Sequence, residues 1–116
     1  MGNDDYWDGV ARKTAERLLN ILEDWYGAGV ALSKLELTQQ LRCNDSVLRA
    51  AIRHLRQAGH LVVAAEKGGY RLAHSEEEVQ RYLDSLRSRI AGVQETIEAM
   101  ETSLAQRKYG QQGRLM

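Results

Sequence analysis

The chain has 116 residues, 43% of them hydrophobic, with no proline, no phenylalanine and one cysteine. That length suits one domain with an appendage, one cysteine excludes an internal disulfide framework and fits a reducing compartment, and no apolar run approaches the roughly 20 residues of a membrane helix. The charges cancel overall but are unevenly placed: residues 33–75 hold seven basic and three acidic side chains, whereas residues 1–32 hold three and six. The middle of the chain is a basic island where a polyanion would be met.

Residues 1–9 are acidic and polar, unlike a secretory signal, and Tyr6 stands where a myristoylation signal needs Ser or Thr. They are expected to be a disordered lead. From Val10 the apolar residues Ala11, Ala15, Leu18, Leu19, Leu22, Trp25 and Tyr26 fall at helical spacing. Gly27-Ala28-Gly29 stops this helix. Arg12, Lys13 and Arg17 lie on its polar side, which reads as a solvated face. Val30-Ala31-Leu32 is long enough only for a short edge strand. Ser33-Lys34-Leu35-Glu36 is a capping box, so a second helix begins there and runs to about Leu41. Leu37 and Leu41 share its inner face, and Leu35 lies off it.

The next helix has both ends written into its sequence. Asn44 is a good N-cap, Asp45 adds charge at the positive end of the dipole, and Gly59 suits the left-handed position after the last turn. Leu48, Ala51, Ile52 and Leu55 form one apolar stripe. The opposite side carries Ser46, Arg49, Ala50, Arg53 and Gln57. Two helices about three residues apart, the second more basic, have the arrangement of a helix-turn-helix. Leu61 to Ala65 is a β-prone run, Glu66-Lys67-Gly68-Gly69 a turn, and Tyr70-Arg71-Leu72 the return strand. Alternation puts Tyr70 and Leu72 inward and Arg71 outward.

This order of elements, with Leu55-Arg56-Gln57-Ala58-Gly59-His60-Leu61-Val62 and Gly68-Gly69-Tyr70-Arg71-Leu72-Ala73, resembles winged helix-turn-helix DNA-binding proteins of bacteria and phages. The wing signature is similar to that of biotin-repressor-like regulators and small phage winged-helix proteins. Leu48 departs from the commoner pattern, where β-branched residues are frequent, and so does Cys43. The resemblance covers about residues 10–74. It implies double-stranded DNA contact by Asp45, Ser46, Arg49, Ala50 and Arg53 on the helix and by Lys67 and Arg71 on the wing.

The chemistry of these residues is compatible with that role. Arginine suits bidentate contact with guanine O6 and N7. Ser46 near a helix N-terminus suits a phosphate. Ala50 allows close approach to a base edge. Lys67 and Arg71 can reach phosphates or a minor groove. The competing reading of the arginines is a solvated face in which Asp45 pairs with Arg49 at i, i+4.

Ser75 and Glu78 form a second capping box, opening a long helix. Val79, Leu83, Leu86, Ile90, Val93, Ile97, Met100 and Leu104 alternate steps of four and three. Leu83, Ile90, Ile97 and Leu104 take heptad position a; Val79, Leu86, Val93 and Met100 take d. The stripe exceeds what the preceding domain can cover, and a second copy is its simplest partner. Leu83, Leu86, Ile90, Val93, Ile97, Met100 and Leu104 are the expected interface of a homodimer. The flanking residues show no clear charge pairing, so strand direction stays open.

Cys43 in the turn reads as a packed thiol. His54, His60 and His74 lack metal-ligand spacing with it, and no nucleophile–base–orienter set is present. No enzyme activity, metal, cofactor or small-molecule ligand is expected. The expected fold class is mainly α with a small β-hairpin: a disordered lead (1–9), a winged helix-turn-helix (10–74), a coiled-coil dimerisation helix (75–108) and a flexible tail (109–116). The expected function is sequence-specific DNA binding as a cytoplasmic homodimer, as a small bacterial or phage transcriptional regulator such as a repressor. The alternatives are a phage accessory protein of replication or packaging, a winged-helix protein adapter, and an RNA binder.

Overall fold

The computed structural model describes the backbone of residues 2–110 and the side chains of residues 9–109. The protein is mainly helical, with a two-stranded antiparallel hairpin and a long C-terminal helix. In chain order the elements are α1 (Gly2–Asp24), a 3-10 turn (Tyr26–Ala28), α2 (Lys34–Leu41), α3 (Asp45–Gln57), β1 (Val62–Ala64), β2 (Tyr70–Leu72) and α4 (Glu76–Gly110). Two units result, Met1–Val79 and Gln80–Met116. Among the described residues, no helix is long and apolar enough to cross a membrane.

In the first unit, α1 begins at Gly2, so the segment expected to be a disordered lead has helical backbone from its second residue. The helix ends at Asp24, before Trp25 and Tyr26. Those two aromatics were expected on its inner face, but the chain turns into the 3-10 segment and leaves them 43% and 44% exposed. Gly29, in the left-handed region at φ 68°, ends that segment. The inner face of α1 is formed by Ala11, Ala15, Leu18 and Leu22, together with the buried Thr14.

Local sequence accounts for the next two helices. Ser33 Oγ accepts from the backbone N–H of Glu36 at 3.0 Å, and the Glu36 carboxylate accepts from the N–H of Ser33 at 2.9 Å. The two backbone donors are thus satisfied reciprocally. The Ser33 backbone N–H, followed by the Ser33 side chain, holds the Glu36 carboxyl below its ordinary pKa. Asn44 Oδ1 caps α3 by accepting from the N–H of Val47 at 2.9 Å. Between the two helices the backbone turns at Arg42, which takes φ 52° although it is not glycine. The turn is held by the Cys43 N–H, which donates to the carbonyl of Thr38 at 3.1 Å.

The core of this unit joins Leu18 and Leu22 of α1, Leu37 and Leu41 of α2, and Leu48, Ala51, Ile52 and Leu55 of α3, with Leu32 and Val62. Helix α1 packs chiefly against α3. Each fully buried leucine contributes about 1.5–3 kcal/mol relative to leaving it exposed, so α3 is anchored along its whole apolar stripe.

The hairpin pairs Val62 with Leu72, Val63 with Arg71 and Ala64 with Tyr70. The expected edge strand is reduced to one bridge. The Leu32 N–H donates to the carbonyl of Tyr70 at 2.9 Å, and the Tyr70 N–H donates back at 2.8 Å. Gly69 has two reasons to be glycine. Its φ is +90°, and a Cβ there would lie 2.8 Å from the carbonyl oxygen of Leu32. Tyr70 and Leu72 pack on the core as alternation requires. Val62 and Val63 are both buried, so β1 is covered on both faces.

The second unit is the remainder of α4, which stays helical to Gly110, two residues beyond the expected end at 108. The rest of the expected tail, residues 111–116, lies outside the described residues. Along α4, Val79, Leu83 and Leu86 are half-buried, whereas Ile90, Val93, Ile97, Met100 and Leu104 are 45–69% exposed.

Candidate nucleic-acid interface

The outer ridge of α3 follows from the helical period. With Leu48, Ala51, Ile52 and Leu55 buried, residues about half a turn away must face solvent. Ser46, Arg49 and Arg53 are exposed, and Ala50 is half-buried between them. A serine one residue into the helix, two arginines one turn apart and a small residue therefore share one surface. Arg53 makes no hydrogen bond or ion pair among the described residues.

The N-terminal end of the ridge is neutralised in part. Asp45 accepts from Arg49 one turn on, and Lys34 at the start of α2 stands 3.2 Å from Asp45 Oδ1. The Arg49 bond, followed by that of Lys34, holds the Asp45 carboxyl below its usual range. Asp45 thus organises two cations at the adjoining N-termini of α2 and α3. The pairing of Arg49 with Asp45, which the helical spacing allowed, is present. It is solvent-exposed and of small energetic weight, so an anion can compete for the guanidinium. Lys34 was not among the expected site residues. Its link to Asp45 depends on how two helices meet and has no signal in local spacing.

The hairpin divides its two cations. Lys67 lies exposed in the turn and has no partner among the described residues. Arg71 corrects the expectation of an outward wing contact. Its side chain is only 27% exposed; it pairs with Glu78, and it donates to the carbonyl of Gly29 at 3.1 Å. Glu78, 12% exposed, also accepts from the backbone N–H of His74 at 2.8 Å. Burial pushes the Glu78 carboxyl up, but the His74 N–H and the Arg71 guanidinium outweigh it, and the group lies below its ordinary pKa. Arg71 therefore ties β2 to the start of α4 and to the loop after α1.

The second capping box is modified accordingly. Ser75 Oγ accepts from the N–H of Glu78 at 3.1 Å, but the Glu78 carboxylate reaches the N–H of His74 rather than that of Ser75. His74 has a place of its own: its ring meets that of Tyr26 edge-on at 4.5 Å, and its Nε2 lies 2.9 Å from the Tyr26 carbonyl.

Two further arginines have structural positions. Arg17, expected on a solvated face, donates to the carbonyls of Leu41 and Gln40 at 3.2 and 3.4 Å, and so caps α2 from α1. Arg56 donates to the carbonyl of Val62 at 3.0 Å and ties α3 to β1. Cys43 is half-buried against the core. Burial raises its thiol pKa, and the opposing influence of Arg17 is smaller.

Around the ridge and the hairpin the exposed cations thus include Arg49 and Arg53 on α3, Lys34 at Asp45, Arg42 in the turn between α2 and α3, and Lys67 on the hairpin. Among the described residues, no cluster of His, Cys, Asp and Glu could hold a metal ion. No family model, curated protein or solved structure matches the chain.

Proposed function

We propose that this protein is a winged helix-turn-helix DNA-binding protein. In this reading α3 is the recognition helix, the β1–β2 hairpin is the wing, and α4 joins two copies. The observation that carries the reading is α3 itself: its apolar stripe is buried while Ser46, Arg49 and Arg53 face outward, just after the tight turn from α2. Arg53 and Arg49 read bases in the major groove, Ser46 and Lys67 hold phosphates, Ala50 permits close approach, and Asp45 orients Arg49 and Lys34. Two copies related by a two-fold axis read an inverted repeat. The role is that of a small cytoplasmic transcriptional regulator of bacterial or phage type. An accessory role in phage replication or packaging uses the same contacts.

Selection of bound sequences from random DNA tests the reading, followed by affinity measured against salt. Neutralising several phosphates makes affinity fall steeply as salt rises. A flat response, or no binding to any duplex, refutes DNA binding. Arg53→Ala should cost about 1–3 kcal/mol on the selected site and relax one position, whereas Lys67→Ala should weaken all sequences alike. Ile97→Asp should give monomers by sedimentation; a dimeric variant refutes the role of α4.

One observation favours a protein adapter instead. Leu35, the residue after Lys34, stands 65% exposed on α2. A Leu35→Ser variant that leaves DNA binding intact but abolishes capture of a protein partner would support that role.

A further inference from the structure

We infer that α4 pairs with a second copy of itself in antiparallel orientation, centred on Glu95, with Arg87 of each copy facing Glu101 of the other. This rests on the reading of α4 as the dimerisation helix and adds its direction and register. The starting point is where the stripe is bare. Val79, Leu83 and Leu86 are half-buried, whereas the stripe is exposed from Ile90 to Leu104. A second copy has to cover the latter part.

In an antiparallel pair, a residues meet d residues, and flanking e residues meet e residues of the other helix. Centring on Glu95 gives the layers Leu86–Leu104, Ile90–Met100 and Val93–Ile97, each occurring twice by symmetry. Every exposed stripe residue is used, with Leu86 as the one half-buried residue drawn in, and Val79 and Leu83 are not needed. A small residue meets a larger one in the central layer, so layer volume stays even. At the same register, the e residues Arg87 and Glu101 come opposite each other at both ends. Flanking charge pairs of this kind set partner orientation.

The other alignments lack that pairing. A parallel, in-register pair sets Arg87 beside Tyr82 and Glu101 beside Thr96, and stacks Val93 on Val93 in one thin layer between thicker ones. An antiparallel pair shifted by one heptad, centred between Ala91 and Gly92, sets Arg87 against Gln94 and Glu101 against Gln80, and draws on the half-buried Val79 and Leu83. Arg87 now bonds Asp84 on its own helix at 3.0 Å, but both side chains are well exposed. Such a pair is weak, and the guanidinium fork can serve Glu101 of the second copy as well.

Two measurements on the full chain test this. With Cys43→Ser and Tyr109→Cys, a spin label on residue 109 should report a separation of about 42 Å or more, because that position lies fourteen residues from the centre in each copy. A parallel pair gives about 20 Å. The second measurement leaves the native cysteine in place. Arg87→Glu should weaken dimerisation about tenfold by sedimentation, and adding Glu101→Arg should restore it. A short label distance, or no rescue by the double variant, overturns the antiparallel register while the dimer stands. A monomer in all measurements overturns both the register and the role of α4.

Discussion

Replacing Arg71 by methionine separates an architectural arginine from a DNA contact. The variant keeps most of the apolar stem and removes the guanidinium. It leaves the Glu78 carboxylate, 12% exposed, with only the His74 N–H, and it leaves the Gly29 carbonyl without that donor. Breaking a fully buried pair costs about 3–5 kcal/mol. Arg71 is 27% exposed, and solvent screening reduces the cost to about 1–3 kcal/mol. For a unit of this size the melting midpoint should fall by roughly 4–24 °C.

Urea unfolding followed by circular dichroism between pH 7 and pH 3 is the assay. Glu78 has a lowered pKa in the fold. Its contribution is therefore fully present above the unfolded value, about 4.3, and is lost as pH falls through the lower folded value. The gap between wild type and Arg71→Met should be widest near neutrality and narrow in acid. A variant as stable as wild type at pH 7 but impaired in binding DNA would show that Arg71 serves the wing surface, and would refute the structural role.

Three further outcomes are expected. Gly68→Ala and Gly69→Ala both force a side chain into positive φ, but only Gly69 also meets the Leu32 carbonyl. Gly69→Ala should therefore cost about 2–4 kcal/mol against about 1–2 for Gly68→Ala by the same unfolding assay, and equal costs would discount the close approach. Arg42→Gly relieves a left-handed backbone at φ 52° and should stabilise by about 0.5–1 kcal/mol in urea titration; a loss of stability would show that the arginine side chain outweighs the strain. Cys43, with its thiol pKa raised by burial, should be alkylated slowly at pH 7.5 and quickly in denaturant; a native rate equal to that of a free thiol would contradict its packing.

The local devices were legible in the residues because each depends on neighbours a few positions away. Ser33 with Glu36 opens α2, Asn44 opens α3, and Gly68-Gly69 turns the hairpin. The stripe of α3 and the long heptad pattern of α4 follow from period alone, and with them the outward position of Ser46, Arg49 and Arg53. Where competing local preferences met, the outcome was less legible. Trp25 and Tyr26 continue the helical spacing of α1, but the chain leaves that helix one residue before them, so their rings end at the surface.

What the sequence by itself determined is thus the order, ends and faces of the elements. Only the tertiary structure decided what each long side chain does. Arg17 reaches α2 across a separation of 24 residues, Arg71 reaches Gly29 across 42, and Lys34 meets Asp45 between two helices. Arginine and lysine carry their charge on flexible stems, so the same residue is solvated, caps a helix or joins two elements according to which carbonyl or carboxylate the fold brings near. Periodicity places the Cα of such a residue on a face. Its partner is chosen only when distant parts of the chain come together.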